Sequence, residues 1–230
     1  MAKKKVSRSR KRDLNEPDEF ISFWTKVFGW ISEYKLIFLS ALGVMIAVII
    51  VIIGIVYFTK KSEDKAFALL QQGIINYQTE LKNSTPEKAF LDVENDLQRV
   101  MDKYSNRAGG KLAGFIYANI CYAAKDYDKA IELYNKSLIN FNHELFIKDL
   151  ILNGLGYAYL SKKDFKTAAK YFEIIASDPN YKIKDEALFN LGELYAAMGD
   201  QDKSTTAFKQ IISDHSDSMY IELVKERVTG

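Results

Sequence analysis

From Leu36 to Phe58 the chain reads LIFLSALGVMIAVIIVIIGIVYF. The run contains no acid or base, and Ser40 is its one internal polar side chain. As a helix it would extend about 34 Å at roughly 1.5 Å per residue, enough for a hydrocarbon layer of about 30 Å. The hydrophobic part of a cleaved signal peptide is shorter, about 7–15 residues, and ends at a small-residue site. Tyr57, Phe58, Thr59, Lys60 and Lys61 offer no such site. A buried core helix would show a polar stripe, and this run has none. The expectation is therefore a retained transmembrane helix over 36–58, and it divides everything else in the chain.

Lys3, Lys4, Lys5, Arg8, Arg10, Lys11, Arg12, Lys26 and Lys35 precede the run, and Lys60, Lys61 and Lys65 follow it closely. Basic residues near a span stay on the cytoplasmic side. This predicts a cytoplasmic N-terminus and a large C-terminal part across the membrane. The basic tail also has the composition of a nucleic-acid patch. Topology and anionic-lipid contact explain it more economically so close to a span. From Thr59 onward acids slightly outnumber bases, so no basic face for nucleic acid is expected. Within 1–35, Phe20, Ile21, Phe23, Trp24, Val27, Phe28, Trp30 and Ile31 follow helical spacing. Trp24, Phe28 and Trp30 are expected at the membrane interface, with docking of a membrane partner as the alternative. Gly43 and Ala47 would let a second span approach closely, a route to an oligomer.

The remainder divides into 59–106, read as a linker helix and a degenerate first hairpin, and 107–230. One cysteine, Cys121, excludes an intramolecular disulfide and is expected to be a small buried hydrophobe. His143 and His215 are isolated near expected helix ends. No phosphate loop, zinc motif or nucleophile elbow is present, so no metal or cofactor is expected. Asp92, Glu94 and Asp96 read as one solvated helix face. These residues give no basis for an enzyme.

A repeat carries the positive signal. Ala118, Gly156 and Gly192 align, spaced 38 and 36 residues apart (118 to 156 to 192). Cys121, Tyr159 and Tyr195 follow in register, then Ala130, Ala168 and Ser204, then Tyr134, Phe172 and Phe208. Small residues let two antiparallel helices approach, and the rings are expected to fill the space between hairpins. Asp126, Asp164 and Asp200 mark turns, where a carboxylate caps the next helix. A last helix is expected over about 217–228. These stretches resemble the tetratricopeptide repeat family, with its unit of about 34 residues. The resemblance implies an all-α solenoid of about four hairpins. Departures are Ser204 in place of alanine and the absence of a proline at the usual end of the second helices.

The layout as a whole resembles the membrane-anchored ancillary subunits of the SecYEG translocon. That likeness implies a single-pass bacterial inner-membrane protein with a periplasmic repeat domain. It also implies translocon subunits, periplasmic chaperones or exported chains as partners. The final repeat, LGELYAAMGDQDKSTTAFKQIISDHSDSMYIELVKER, resembles that of Tol-Pal-associated cell-division coordinators and of the lipoprotein in outer-membrane barrel assembly. On repeat geometry the first helix of each hairpin lines an inner surface. Phe115, Asn119 and Tyr122, then Asn153 and Tyr157, then Phe189 and Glu193 are expected there. Rings supply contact area and amides pair with peptide groups. The functional expectation is a protein-binding scaffold that assists export or recruits a chaperone. An envelope-assembly coordinator and a transmembrane signalling regulator are the alternatives.

Overall fold

The computed structural model describes residues 19–229, and every regular element among them is helical. The basic cluster Lys3–Arg12 lies outside the described residues. The ten helices are α1 (Glu19–Glu33), α2 (Lys35–Leu81), α3 (Pro86–Lys103), α4 (Ala108–Ala123), α5 (Tyr127–Asn140), α6 (Leu145–Ser161), α7 (Phe165–Ser177), α8 (Lys184–Ala197), α9 (Gln201–Asp214) and α10 (Ile221–Thr229). They form two compact units, divided within α2 after Thr59.

In the first unit, Phe20, Trp24 and Phe28 stand one helical turn apart on α1. Their successive ring centroids are 6.1 and 5.9 Å apart. Trp30 packs edge-on against Phe38 at 5.1 Å. Trp24, Phe28 and Trp30 are all exposed. Every residue from Leu36 to Phe58 is exposed except the half-buried Gly54. By length and composition this is a helix able to cross a membrane, since so continuous an apolar surface is otherwise left to water.

The second unit begins at Lys60. Here α2 runs on without a break, because residues 59–62 contain no glycine, proline or capping geometry to stop it. Its later turns bury Ala66, Leu70 and Gly73, and Gly73 meets Leu97 of α3 in a looser first hairpin. The pairs α4–α5, α6–α7 and α8–α9 make three more, and α10 packs on α9. The closing helix starts at Ile221 rather than near 217. Ser218 is buried in a turn, accepts from the Tyr220 N–H at 3.2 Å and donates to Asp185 at 2.7 Å.

The repeat is visible in its turns. Lys125, Lys163 and Gly199 occupy equivalent left-handed positions, with φ of 64°, 61° and 81°. The next residue folds back each time. The Asp126, Asp164 and Asp200 N–H groups donate to the carbonyls of Cys121, Tyr159 and Tyr195 at 2.9, 3.0 and 2.8 Å. This closure satisfies carbonyls that a helix end leaves free. Each aspartate side chain then accepts the N–H three residues on, from Lys129, Thr167 and Lys203 at 3.2, 3.1 and 3.2 Å. The Thr167 side chain, and after it the Thr167 N–H group, hold the Asp164 carboxyl below its ordinary range. A cap of this kind contributes about 1 kcal/mol.

A second set of carboxylates reaches from one hairpin to the element that follows it at three places. Glu63 accepts from the Ala108 and Gly109 N–H groups at 3.2 and 2.8 Å, at the start of α4. Asp149 accepts from the Lys182 N–H at 3.0 Å, just before α8. Asp185 takes the Ser218 hydroxyl before α10. Acid near helix N-termini is favoured by the free N–H groups and the helix dipole.

In the core, the Phe172 ring lies on Gly156 and the Phe208 ring on Gly192. Each ring therefore packs on the small residue of its own hairpin, and the same rings share core clusters with the element that follows, Phe172 with Ala187 and Leu191 and Phe208 with Val224. Tyr134 also bridges hairpins: it bears on Gly154 of the next one while its hydroxyl donates to Asn119 at 2.6 Å. Cys121 is buried, and burial pushes its thiol up to about 12. It is a packing residue, as expected. Glu94 departs from the expectation of a solvated face. It is half-buried, accepts the Tyr117 hydroxyl at 3.0 Å and pairs with Lys129. The Lys129 ammonium also lies 5.7 and 5.0 Å from the centroids of the stacked Phe90 and Tyr117 rings, a cation–π contact with the pair. Asp92 is exposed.

Candidate functional site

The expected inner-surface residues sit on α4, α6 and α8, the first helices of the three regular hairpins. Phe115 is half-buried beside Tyr134, centroids 6.2 Å apart. Asn119 is exposed on one side and accepts the Tyr134 hydroxyl on the other. Tyr122 is half-buried, packs 5.6 Å from Tyr127 and accepts from Ser161 of α6 at 3.3 Å. Phe189 lies between Phe208, at 6.1 Å, and Tyr220, stacked at 4.5 Å. Glu193 is bridged at 3.4 Å by Arg227 of α10. Phe189 and Glu193 are thus largely engaged by the closing segment, whereas Asn119 keeps an open side.

Asn153 and Tyr157 are part of a network that reaches further than these seven residues. The Glu186 Oε1 atom accepts the Tyr157 hydroxyl at 2.8 Å and the Asn153 Nδ2 group at 3.1 Å. Asn190 Nδ2 donates to the Tyr157 oxygen at 2.9 Å. Burial raises the Tyr157 hydroxyl above its ordinary value, so it stays a donor. All four residues are half-buried. One turn before Asn153 on α6, Asp149 is 2 % exposed. Its Oδ1 atom and the Asn153 Oδ1 atom are buried without a hydrogen-bond partner. Burial raises the Asp149 carboxyl above its ordinary value, against the pull of the Lys182 and Ile183 N–H groups.

Glu186, Asn190 and Asp149 escape a reading based on the repeat pattern alone. A signal for the first two exists in the sequence. Glu186 stands where the other hairpins have Leu112 and Leu150. Asn190 stands where they have Ile116 and Gly154, and Asn153 where they have Phe115 and Phe189. Polar residues therefore replace apolar ones at one junction, that of α6 with α8. Among the described residues no group of histidine, cysteine and acid could hold a metal.

Hairpins that pack only on their neighbours, with a left-handed turn and an aspartate cap repeated three times, define an α-solenoid of helical repeats. The sequence agrees: residues 30–228 match the tetratricopeptide repeat-like domain family, and the chain belongs to it. It is also similar to the uncharacterized protein ycf37 of Pyropia yezoensis, 26% identical over 133 residues, which is 55% of this chain and 72% of that protein. The ycf37 protein of Porphyra purpurea is 30% identical over 114 residues, 47% of this chain and 64% of that protein. Domains of this repeat class are in general protein-interaction scaffolds.

Proposed function

We propose that the chain is a non-enzymatic, membrane-anchored scaffold whose repeat domain holds a segment of a partner protein against α4, α6 and α8. The observation that carries this reading is the pairing, in one chain, of an exposed apolar helical run over 36–58 with a stack of repeat hairpins. The family match starts at residue 30 and takes in the apolar run, which supports an anchor as part of the architecture. The flanking lysines orient the repeats away from the cytoplasm. Phe115, Asn119, Tyr122, Asn153 and Tyr157 supply rings and amides suited to an extended peptide. Trp24, Phe28 and Trp30 sit at the interface. In a bacterial inner membrane this layout suits a protein that recruits a periplasmic chaperone or receives chains leaving the translocon.

Photocrosslinkers at Asn119 and Tyr122 of the full-length chain, in native membranes, test the reading. The expected products contain exported chains, translocon subunits or periplasmic folding factors. The absence of any protein adduct refutes the scaffold role. Adducts with Tol-Pal, barrel-assembly or cell-wall proteins move the assignment to envelope coordination, which the likeness of the last repeat favours. A periplasmic reporter fused after Gly230 is expected to be active; an active cytoplasmic reporter there overturns the orientation.

A further inference from the structure

The polar junction between α6 and α8 has an unbalanced set of donors and acceptors. Tyr157 spends its one proton on Glu186, and Asn190 gives an N–H to Tyr157. Asn153 gives an N–H to Glu186. Turning the Asn153 amide over would set its oxygen against the carboxylate, so its orientation is fixed. What remains for an incoming group is the second Glu186 oxygen; the Asn153 Oδ1 atom and, one turn away, the Asp149 Oδ1 atom are unpaired but buried, and add negative potential to the junction without being reached directly. Both bonds that Glu186 accepts come from neutral groups. No ion pair among the described residues involves it. A half-buried carboxylate without a counter-ion gains most from an incoming cation. At the places of Glu186, Asn153 and Asn190 the other hairpins carry apolar side chains or glycine, so repeat packing does not require polar residues at these three.

We propose that Glu186, Asn153, Tyr157 and Asn190 form a specificity site for a cationic side chain, a guanidinium or an ammonium, on the segment that the scaffold holds. A guanidinium presents five donors in a planar fork and can span two acceptors. An ammonium presents three donors on a point charge. The proposal rests on the scaffold reading and narrows it: a bound segment is selected for an arginine or lysine at the register of this junction. It also predicts rejection of acidic segments, because an incoming carboxylate meets Glu186.

The test uses the full-length chain in lipid nanodiscs, with the side-chain amide signals of Asn153 and Asn190 followed by nitrogen-15 NMR. The probes are N-acetyl-arginine methylamide, N-acetyl-lysine methylamide and N-acetyl-glutamate methylamide. Saturable shifts are expected with one or both cationic probes, which tells guanidinium from ammonium selection, and none with the glutamate probe. Glu186→Gln keeps an acceptor for Tyr157 and should weaken the cationic probe at least tenfold. Raising salt from 50 to 500 mM on the unaltered chain should weaken it as well, a readout that needs no variant. Equal shifts from arginine and glutamate probes, or binding indifferent to salt, overturn the proposal. Protein adducts at Asn119 without a cation preference here would sink this proposal alone. Cation binding here without any adduct would sink the scaffold reading.

Discussion

Gly192→Ala isolates the contact on which the hairpin repeat depends. A Cβ atom built on Gly192 would lie 2.2 Å from Phe208 Cε1 and 2.6 Å from Cδ1 and Cζ. Carbon atoms rest at about 3.5–4.0 Å, so the ring must withdraw by more than an ångström. Phe208 is 3 % exposed and has little room to do so. Overpacking of this size costs about 1–3 kcal/mol. Alanine in place of helical glycine returns about 1 kcal/mol through backbone propensity. With the clash at the upper part of its range, the net expectation is a loss of about 1–2 kcal/mol. For a domain of this size each kcal/mol lowers Tm by about 2–4 °C. Urea titration of the full-length chain in nanodiscs, followed by far-ultraviolet circular dichroism, measures the loss. The second arm is Phe208→Leu, which removes the ring edge and costs about 1 kcal/mol by itself. In that background Gly192→Ala should turn neutral or stabilising, giving a coupling of at least about 1 kcal/mol. A rise in stability of about 1 kcal/mol from Gly192→Ala alone, the value for helix propensity without a clash, would mean that the Phe208 ring does not bear on Gly192.

Four further outcomes follow from the same contacts. Lys163→Gly relieves a side chain held at φ 61° and should add about 0.5–1 kcal/mol, read as a higher urea midpoint. Glu63→Ala strips two N–H groups at the start of α4 of their acceptor and should cost about 1 kcal/mol. Hydrogen exchange is expected to speed up at Ala108 and Gly109. Asp149 has a carboxyl whose folded value is raised by burial. Protonation therefore favours the folded state: its relative stabilisation is complete below the ordinary value and lost as pH rises through the raised one. Asp149→Asn keeps an acceptor for the Lys182 N–H and should be at least as stable as the unaltered chain at pH 7, with the difference shrinking as pH falls toward 4. Cys121, buried with its thiol pushed up to about 12, should resist thiol reagents at pH 8 until urea unfolds the domain.

Much of the architecture is legible in the sequence because a few residue types leave no choice. The apolar run cannot be hidden by the rest of so small a chain. The small residue followed by a ring sixteen positions on identifies the close contacts of Phe172 on Gly156 and Phe208 on Gly192. The aspartates of the turns announce their caps. Other features resist a local reading. Lys125 and Lys163 hold the left-handed position that Gly199 occupies, and lysine gives no sign of it. Glu63 reaches a helix that begins 45 residues later, and Glu94 becomes a half-buried counter-ion only after α5 brings Lys129 to it. Of the expected partner-facing residues, Phe189 and Glu193 are met by Tyr220 and Arg227, which the pattern of α8 alone does not reveal.

The two sets of carboxylates assign different work to the two ends of a hairpin. Asp126, Asp164 and Asp200 act within a hairpin, closing its turn over three residues. Glu63, Asp149 and Asp185 act between hairpins, holding the start of the next first helix or the turn before it. The turn caps therefore set the stability of each unit, while the ties set where one first helix stands against the next. That spacing is what brings Glu186 of α8 under Asn153 and Tyr157 of α6. Loss of a turn cap should lower stability and leave the junction's geometry intact. Loss of the Asp149 tie, as in Asp149→Ala, should move the Asn153 and Asn190 amide signals even under conditions where the fold is retained.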